Sequence, residues 1–206
     1  MTGSLNRKMT LALGIGLMLA APLYAASSRL KVAGVATIVA KSALTVTPDR
    51  AWNKAGRPGR LSEAWTLDGL SINELTFYGG IIDGKTMFRE VDKINAPLPK
   101  FNKTMLAPDI ATLLESSYRV ALGTSLMKVD TIEPATFAGA QGFKFTYSFS
   151  VSDEVKRKGV ARGAIIGDKL YMMTYEAPGI HYFNRDIASF DKIADSARFP
   201  AVAGKK

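Results

Sequence analysis

The residues of this chain that could carry catalysis are few. His181 is the only histidine, and the chain contains no cysteine. Thiolate nucleophiles, disulfides and thiolate metal sites are therefore excluded, and any metal site would have to be built mainly from carboxylates. His181 could act as a lone general base oriented by Glu176 or Asp186. Its position directly after Pro178-Gly179-Ile180 is more typical of a loop residue or of the start of a helix.

One pair of carboxylates has a spacing that suits acid–base chemistry. Glu90 and Asp92 would share a face if Thr86 to Lys93 form a strand, because side chains alternate along a strand. Glycosidases use two such carboxylates, whereas two acids on the wet face of an edge strand are the common structural alternative. The chain has no Gly-x-Ser-x-Gly elbow, Walker loop or calcium loop. We therefore predict no catalytic activity and no cofactor or metal, and keep as the catalytic alternative a small hydrolase using His181 or the Glu90/Asp92 pair.

Two groups of cations are the candidate binding residues, and their ligand would be anionic. The first group lies in a Gly/Pro-rich loop beside Trp52, and the second lies at or near a predicted hairpin tip. Together they are Arg50, Lys54, Arg57, Arg60, Lys156, Arg157, Lys158 and Arg162. Exposed cations beside an aromatic ring can hold a polyanion by charge and stacking. Solvated charged loops that bind nothing are the alternative, and Asp153 and Glu154 partly offset the second group.

A group of aromatic residues allows two interpretations. Tyr171, Met173 and Tyr175 alternate along one predicted strand, and Tyr147 lies in a neighbouring one. They could line a ligand groove. Packing beneath a helix, with the tyrosine hydroxyls at its rim, is the structural alternative.

The N-terminus has the pattern of a secretory signal peptide. Arg7 and Lys8 precede the apolar run Met9–Ala21, and Pro22 and Leu23-Tyr24-Ala25 follow. A short basic region, an apolar run and a small residue at the end predict cleavage after Ala25 or one residue later. The chain therefore divides into a signal peptide, 1–25, and one domain, 26–206, which we expect to be periplasmic or secreted.

An uncleaved membrane anchor is the alternative for this segment. The uncharged run from Met9 to Ser28 is close to the ~20 residues that a membrane span needs, but Gly14, Gly16 and Pro22 interrupt it. After cleavage no spanning segment would remain. Because there is no cysteine to carry a lipid, we do not expect a bacterial lipoprotein.

Composition and charge narrow the class of protein. An apolar content of 47% and a charged content of 22% are typical of globular domains. The net charge is +9, and it falls to +7 when Arg7 and Lys8 are removed with residues 1–25. A basic exported protein would be attracted to anionic components of the envelope; a moderate charge that serves solubility alone is the alternative. No nucleic-acid recognition module is present, so nucleic acid is not an expected partner.

The strands that would position these residues are marked by alternation and by turns. Phe143 to Val151 alternates strictly between apolar and polar side chains, which is typical of a half-buried strand. After a turn-rich basic segment, 153–159, the runs 160–166 and 169–177 flank Gly167-Asp168, a two-residue hairpin signal. Asp68-Gly69 predicts a second hairpin, between 61–67 and 70–78.

Further strands are predicted elsewhere in the chain. The run Leu30–Val46 predicts a long β-rich segment with a central strand near Val35–Ala40 buried on both faces, and Pro48 ends it. Shorter strands are predicted at Thr86–Val91 and Leu126–Ile132.

Two helices complete the pattern. The first runs from Pro108 or Asp109 to about Leu122, because apolar residues recur with a period of 3.6 and Gly123 follows. The second runs over about Phe183–Ala197. Strands, helix, strands and helix in this order predict an α+β domain with one antiparallel sheet flanked by helices.

This arrangement resembles the PsbP-like fold. The resemblance rests on a first strand ending near Pro48 and Trp52, a hairpin, and a helix after a proline-marked loop. It rests further on Gly167-Asp168-Lys169-Leu170-Tyr171 and on a terminal helix that closes at Asp195-Ser196-Ala197-Arg198-Phe199. It implies an α/β/α sandwich and a non-enzymatic accessory or binding protein, and it carries over no catalytic or ligand motif.

The sequence therefore predicts an exported, non-catalytic accessory protein that binds an unknown envelope protein or an anionic envelope component. An electrostatic binder of an anionic surface or polyanion is the first alternative.

Overall fold

A computed structural model describes residues 29–55, 61–123, 127–150 and 153–200. Its strands are β1 (Leu30–Lys31), β2 (Thr37–Ile38), β3 (Thr45–Val46), β4 (Trp52–Ala55), β5 (Ser62–Thr66), β6 (Glu74–Ile82), β7 (Lys128–Phe137), β8 (Ala140–Ser150), β9 (Lys156–Ile166) and β10 (Lys169–Pro178). Its helices are α1 (Ala107–Leu122) and α2 (Tyr182–Asp195). The predicted signal peptide, 1–25, lies outside the described residues.

Eight of these strands form one antiparallel sheet, in the order β1-β4-β5-β6-β10-β9-β8-β7. Strand β8 buries every second residue, from Phe143 to Phe149, as its alternation predicted. Between β9 and β10, Gly167 and Asp168 both have positive φ, +55° and +60°, and Ile166 pairs with Lys169. The two-residue hairpin predicted there is confirmed, because such turns need left-handed residues at both central positions.

The two helices belong to two different apolar cores on opposite faces of the sheet. In β10, Leu170 and Met172 pack in one core with α1, whereas Met173 and Tyr175 pack in the other with α2. We call these the α1 core and the α2 core. Successive side chains of a strand point to opposite faces, so β10 separates the two.

Helix α1 begins and ends much as the sequence predicts. Asp109 accepts a hydrogen bond from the Leu106 backbone N–H at 2.9 Å. Gly123 ends the helix in the left-handed region, with φ +64°. The face buried against the sheet carries Ile110, Leu114 and Tyr118. Helix α2 is confirmed with slightly earlier bounds than predicted. Within the described chain, neither helix is long and apolar enough to cross a membrane.

The prediction for Leu30–Val46 was wrong in its central part. The segment contains only β1, β2 and β3, and the last two form a separate two-stranded sheet. Ala40 and Lys41 both have positive φ, near +50°, so the chain turns where the continuous strand was expected. Val39 is fully buried in the α2 core, whereas Val35 is 53% exposed. Only part of this apolar segment packs in the α2 core, so it does not form a central strand buried on both faces.

Two further strand predictions need correction. Strands β5 and β6 form the predicted antiparallel hairpin, but residues 67–73 connect them as a longer loop and not as a two-residue turn. The Asn73 side-chain oxygen stabilises this loop by accepting hydrogen bonds from the Leu67 and Asp68 N–H groups at 2.9 and 3.2 Å. Thr86–Val91 is not a strand, and Thr86 forms only an isolated bridge with Lys100. Strand β9 already begins within the basic segment predicted as a turn.

Candidate functional site

A single row of residues crosses four strands and ends at two carboxylates. Tyr147 of β8 pairs with Gly159 of β9, Gly159 pairs with Glu176 of β10, and Glu176 pairs with Glu74 of β6. A Cβ atom on Gly159 would lie 2.2 Å from the Tyr147 ring. The ring therefore lies over the bare backbone of β9, and the tyrosine reaches across roughly 10 Å, two strand spacings, to Glu176.

Glu176 is held by tyrosine hydroxyls from two elements. Tyr147 of β8 and Tyr118 of α1 both donate to Glu176 Oε1. The rings of these tyrosines meet edge to face, with centroids 6.3 Å apart. Tyr78 of β6 lies beside them, and its hydroxyl interacts with Tyr118 and Thr174. All three tyrosines are almost completely buried in the α1 core.

The electrostatics of this cluster follow from burial. Removal from water raises the pKa of Glu176 to about 7, against the lowering effect of the two tyrosine hydrogen bonds; the Glu74 charge raises it further. Burial also raises the pKa of Tyr78, Tyr118 and Tyr147 well above 10, and the nearby Glu176 charge adds to this. The hydroxyls therefore remain proton donors at neutral pH, where Glu176 itself titrates.

Glu176 opens onto a cavity of about 180 Å³ at the end of the sheet where β6 begins and β10 ends. Apolar and charged side chains line it in similar measure: Leu70, Ile72, Glu74, Leu122, Phe149, Arg157 and Glu176. Arg157 donates to both carboxylate oxygens of Asp153, at 2.9 and 2.7 Å, so its charge is already balanced. Among the described residues, neither Glu74 nor Glu176 forms an ion pair, and Arg157 acts on Glu176 only through its charge, which Asp153 largely compensates. This excess of carboxylates favours a cationic group as the occupant of the cavity.

The residues of the hydrolase alternative do not assemble into a site. His181 is an exposed residue at the N-terminus of α2, with its ring against Tyr182. Asp186 is fully buried and accepts hydrogen bonds from Arg50 and Arg185, so it is engaged away from the histidine. Glu176, the other carboxylate considered, is bound by the tyrosines described above. The geometry therefore gives His181 no orienting acid.

The Glu90/Asp92 pair is also not arranged as proposed, since neither residue lies on a strand. Glu90 is 3.9 Å from the Lys93 ammonium. Asp92 stabilises a turn, where its Oδ1 accepts from the Ile94 and Asn95 N–H groups at 3.1 and 2.9 Å. Its side chain therefore serves the loop backbone.

Most of the described cations predicted to bind an anion are held in ion pairs. The shortest N–O distances are 3.1 Å for Arg50 to Asp186, 2.9 Å for Lys54 to Glu63, and 2.6 Å for Arg162 to Asp195. Arg157 is paired with Asp153, as described above.

The remaining cations that were predicted to bind an anion fall into two groups. Lys156 and Lys158 are exposed on β9, and no ion pair among the described residues involves them. Arg57 and Arg60 lie outside the described residues.

Tyr175 and Met173, two of the four residues grouped together in the sequence, lie beneath α2, as one interpretation predicted. Tyr175 stacks on Phe183 at 5.8 Å, and its hydroxyl donates to the Tyr182 carbonyl at 3.1 Å. Met173 lies in the same core. Across the described part of the chain, no group of three or more histidine and acidic residues is placed to hold a metal ion.

The tyrosine–glutamate cluster was not predicted as a site. Tyr118 and Glu176 are 58 positions apart, and Tyr147 and Glu176 are 29 apart. One signal was present in the sequence: Glu176 is the only charged residue in the mostly apolar run 170–177. An acid in a strand that should be buried indicates a paired or functional carboxylate.

Comparison with known proteins shows the fold. No family model matches the sequence, and no curated protein matches it either. The solution structure of cyanobacterial PsbP (CyanoP) from Synechocystis sp. PCC 6803 is similar with a TM-score of 0.54 and 16% identity, over 92% of this chain and 99% of that chain. The crystal structure of LpqN, described as involved in cell envelope biogenesis of Mycobacterium tuberculosis, matches with a TM-score of 0.32 and 12% identity, over 81% of this chain and 86% of that one.

The match to CyanoP identifies the fold of the chain. The chain has a PsbP-like fold, as the sequence resemblance predicted. At 16% identity the match to CyanoP shows the fold alone.

Proposed function

We propose that this protein is an exported, non-catalytic accessory protein that binds a partner through the cavity beside Glu176. The observation that carries the proposal is a carboxylate placed among three buried tyrosines, at the mouth of a cavity of about 180 Å³. Burial of an ionisable group opposes folding unless it is compensated, and such groups are common at functional sites. In this proposal residues 1–25 are the signal peptide, and residues 26–206 form one α/β/α domain in the periplasm or outside the cell.

The partner group that suits the cavity is a primary ammonium on a short aliphatic chain, such as a lysine side chain of an envelope protein. Glu74 and Glu176 would contact the ammonium, while Leu70, Ile72 and Phe149 would contact the aliphatic part. The cavity combines apolar walls with three charged side chains, and apolar walls with a small number of placed polar groups are typical of binding sites. The lining contains no serine, threonine, lysine or histidine that could act as a nucleophile beside Glu176.

Pull-down from envelope extract with the wild-type protein and two variants tests this proposal. Glu176→Gln removes the ionised carboxylate at the cavity, and Glu115→Gln is the matched control on the outer face of α1, where Glu115 pairs with Arg119 at 2.7 Å. We expect a partner that the wild type and Glu115→Gln retain, that Glu176→Gln loses, and that n-butylammonium displaces while butyrate does not. Equal retention by all three proteins, or no retention by any, would contradict the proposal.

A second candidate function is electrostatic binding of an anionic polymer of the envelope. One row across three strands contains Lys128, Ser148 and Lys158, and Lys156 pairs with Ser150 in the next row on the same face. Lys156 and Lys158 would carry this contact, because the ion pairs of Arg50, Lys54, Arg157 and Arg162 already compensate those charges. The predicted contributions of Arg57 and Arg60 remain proposals.

Salt dependence separates this candidate from the first. Binding of a soluble polyanion should weaken steeply with salt and should fall further in Lys158→Glu. Lys169→Glu, an equal charge change at the opposite end of the sheet, is the control. The same loss in both variants would show a dependence on net charge alone and would remove the β9 lysines as a site.

The hydrolase alternative is the least supported of the three. It required His181 beside an orienting acid or the Glu90/Asp92 pair in a concave site. His181 is exposed, and Asp92 is bound to its own turn. We therefore do not expect His181→Ala to change partner binding or to abolish any activity.

A further inference from the structure

The connection between β6 and α1 contains a long loop with a closed base. Residues 86–100 form this loop, and the bridge between Thr86 and Lys100 joins its two ends. Just outside the bridge, the Phe101 N–H donates to the Lys85 carbonyl at 2.8 Å. Met87, Leu98 and Phe101 are buried, and Met87 and Phe101 are part of the α1 core. Loops of this length with joined ends are compact and frequently functional.

The tip of loop 86–100 presents two aliphatic side chains to solvent. Val91 is 97% exposed and Ile94 is 89% exposed. The carboxylate of Asp92, between them, fixes the turn by accepting from the Ile94 and Asn95 backbones and from the Asn95 amide, at 2.9–3.1 Å. A single exposed aliphatic residue needs no explanation. Two exposed aliphatic residues on one fixed turn, at the end of an anchored loop, form a small apolar patch whose geometry is set before any partner binds.

Basic residues flank these two aliphatic residues in the sequence. From Lys85 to Lys103 there are five basic residues against two acids, Glu90 and Asp92: Lys85, Arg89, Lys93, Lys100 and Lys103. Lys93 pairs with Glu90 at 3.9 Å, and Lys103 pairs with Asp168 at 3.2 Å. Among the described residues, no ion pair involves Lys85, Arg89 or Lys100, and all three are exposed.

We propose that loop 86–100 inserts Val91 and Ile94 into the interfacial region of an anionic lipid bilayer. Lys85, Arg89 and Lys100 would contact the lipid headgroups. Exposed aliphatic side chains at the tip of a loop with an excess of cations complement a membrane with negative headgroups and an apolar interior. A protein partner would be favoured by a groove or a flat patch, whereas this tip projects almost fully into solvent. The site is separate from the cavity at Glu176 and does not depend on the proposed function.

The absence of cysteine allows a local test in the full-length chain. Val91→Cys provides a unique attachment point for an environment-sensitive fluorophore, and Ile94→Cys is a second, independent one. Ile180→Cys is the matched control, because Ile180 is also 97% exposed but lies beyond the far end of β10. The label reports only its own surroundings, so attachment of the chain to vesicles through apolar residues 9–21 does not produce the signal.

The labelled proteins are mixed with vesicles of phosphatidylglycerol and phosphatidylcholine, and with phosphatidylcholine vesicles alone. With the vesicles that contain phosphatidylglycerol, we expect labels at positions 91 and 94 to show a blue shift and quenching by brominated lipid tails. The label at position 180 should show neither. Replacing Lys85, Arg89 and Lys100 with glutamine should raise the lipid concentration needed for half of the maximal response by at least about tenfold. Each nearby cation contributes to binding, so the loss of three should weaken it strongly.

Two outcomes overturn the proposal. If the labels at 91 and 94 ignore both kinds of vesicle, the tip does not enter a bilayer and a protein partner becomes the better occupant. If the label at 180 responds as strongly as that at 91, the contact is not made by this loop.

Discussion

A carboxyl group among aromatic rings has a strong preference for its neutral form, and Glu176 is such a group. Its Oε1 accepts from Tyr118 and Tyr147, which satisfies the oxygen without supplying a positive charge. Arg157 is the nearby cation, but Asp153 already compensates it. Burial therefore prevails over hydrogen bonding, and the pKa of Glu176 rises to about 7. The protonation state of this site changes within the physiological range.

Glu176 should make the stability of the protein depend on pH. Its pKa is 4.5 when unfolded and about 7 when folded. Its contribution to the free energy of unfolding is therefore full below pH 4.5 and is lost as pH rises to about 7, by up to about 3 kcal/mol. Glu176→Gln stays neutral and should lack this fall, so that it is more stable than wild type at pH 8. Urea unfolding at pH 5 and pH 8 measures both.

The control for this prediction is Glu115→Gln, which should keep the wild-type pH profile because Glu115 lies outside the tyrosine cluster. Asp153, with a pKa lowered to about 2 by its hydrogen bonds from Arg157, acts at lower pH and does not overlap the window. A wild-type profile that is flat between pH 5 and pH 8 would show that Glu176 is not neutralised by burial.

At the scale of the strand, the site depends on the lack of a side chain at Gly159 in β9. Gly159 lies between Tyr147 and Glu176 in one row of the sheet, and its bare backbone accommodates the tyrosine ring. A glycine inside a strand often marks a close approach of this kind. The contact between Tyr147 of β8 and Glu176 of β10 therefore requires a glycine at position 159 of β9, between them.

Gly159→Ala should destabilise the protein by roughly 1–3 kcal/mol, because the new Cβ would lie 2.2 Å from the Tyr147 ring and would displace it. Gly179→Ala is the matched control. There the nearest atom is Cγ of the flexible Lys158 side chain, at 3.2 Å. Thermal unfolding of both variants measures the difference. An equal change in the two variants would mean that the ring does not depend on Gly159.

The elements predictable from the sequence are those with a local cause. Helix α1 has an apolar stripe along its own residues and a terminating glycine directly after them. Strand β8 alternates, and Gly167-Asp168 forms its hairpin by backbone conformation alone. By contrast, the run Leu30–Val46 looks like a buried strand because it is apolar. The positive φ angles of Ala40 and Lys41 make the chain turn within this run, and no local sequence pattern predicted that turn.

The site was less predictable than the fold, because register creates it. Tyr118, Tyr147 and Glu176 come from α1, β8 and β10, and they meet only when the strands pair with one specific alignment. A slip of one residue would move each strand side chain to the opposite face. The single acid in the run 170–177 could indicate a special carboxylate, but not its partners.

At the scale of the molecule, Asp186 joins segments that are far apart in sequence. It lies on α2 with no accessible side-chain surface, and it accepts hydrogen bonds from Arg50 at 3.1 Å and from the Tyr175 hydroxyl of β10 at 3.3 Å. Arg185 binds it as well and also contacts Asp68 in the loop between β5 and β6. Arg50, expected from the sequence to bind an anion, is thus part of the connection between the N-terminal segment and α2.

Loss of this carboxylate should affect the whole fold. Asp186→Ala leaves Arg50, Arg185 and the buried Tyr175 hydroxyl without their shared acceptor, although both arginines can reach water. We therefore expect a loss of about 2–4 kcal/mol in the free energy of unfolding. Asp191→Ala on the same helix removes one half-exposed ion pair, 3.0 Å from Lys144, and should cost under about 1 kcal/mol. Urea unfolding of the two variants, with Asp186→Asn as the isosteric intermediate, separates burial from charge. A loss in Asp186→Ala no larger than that in Asp191→Ala would mean that the apolar α2 core alone holds the helix on the sheet.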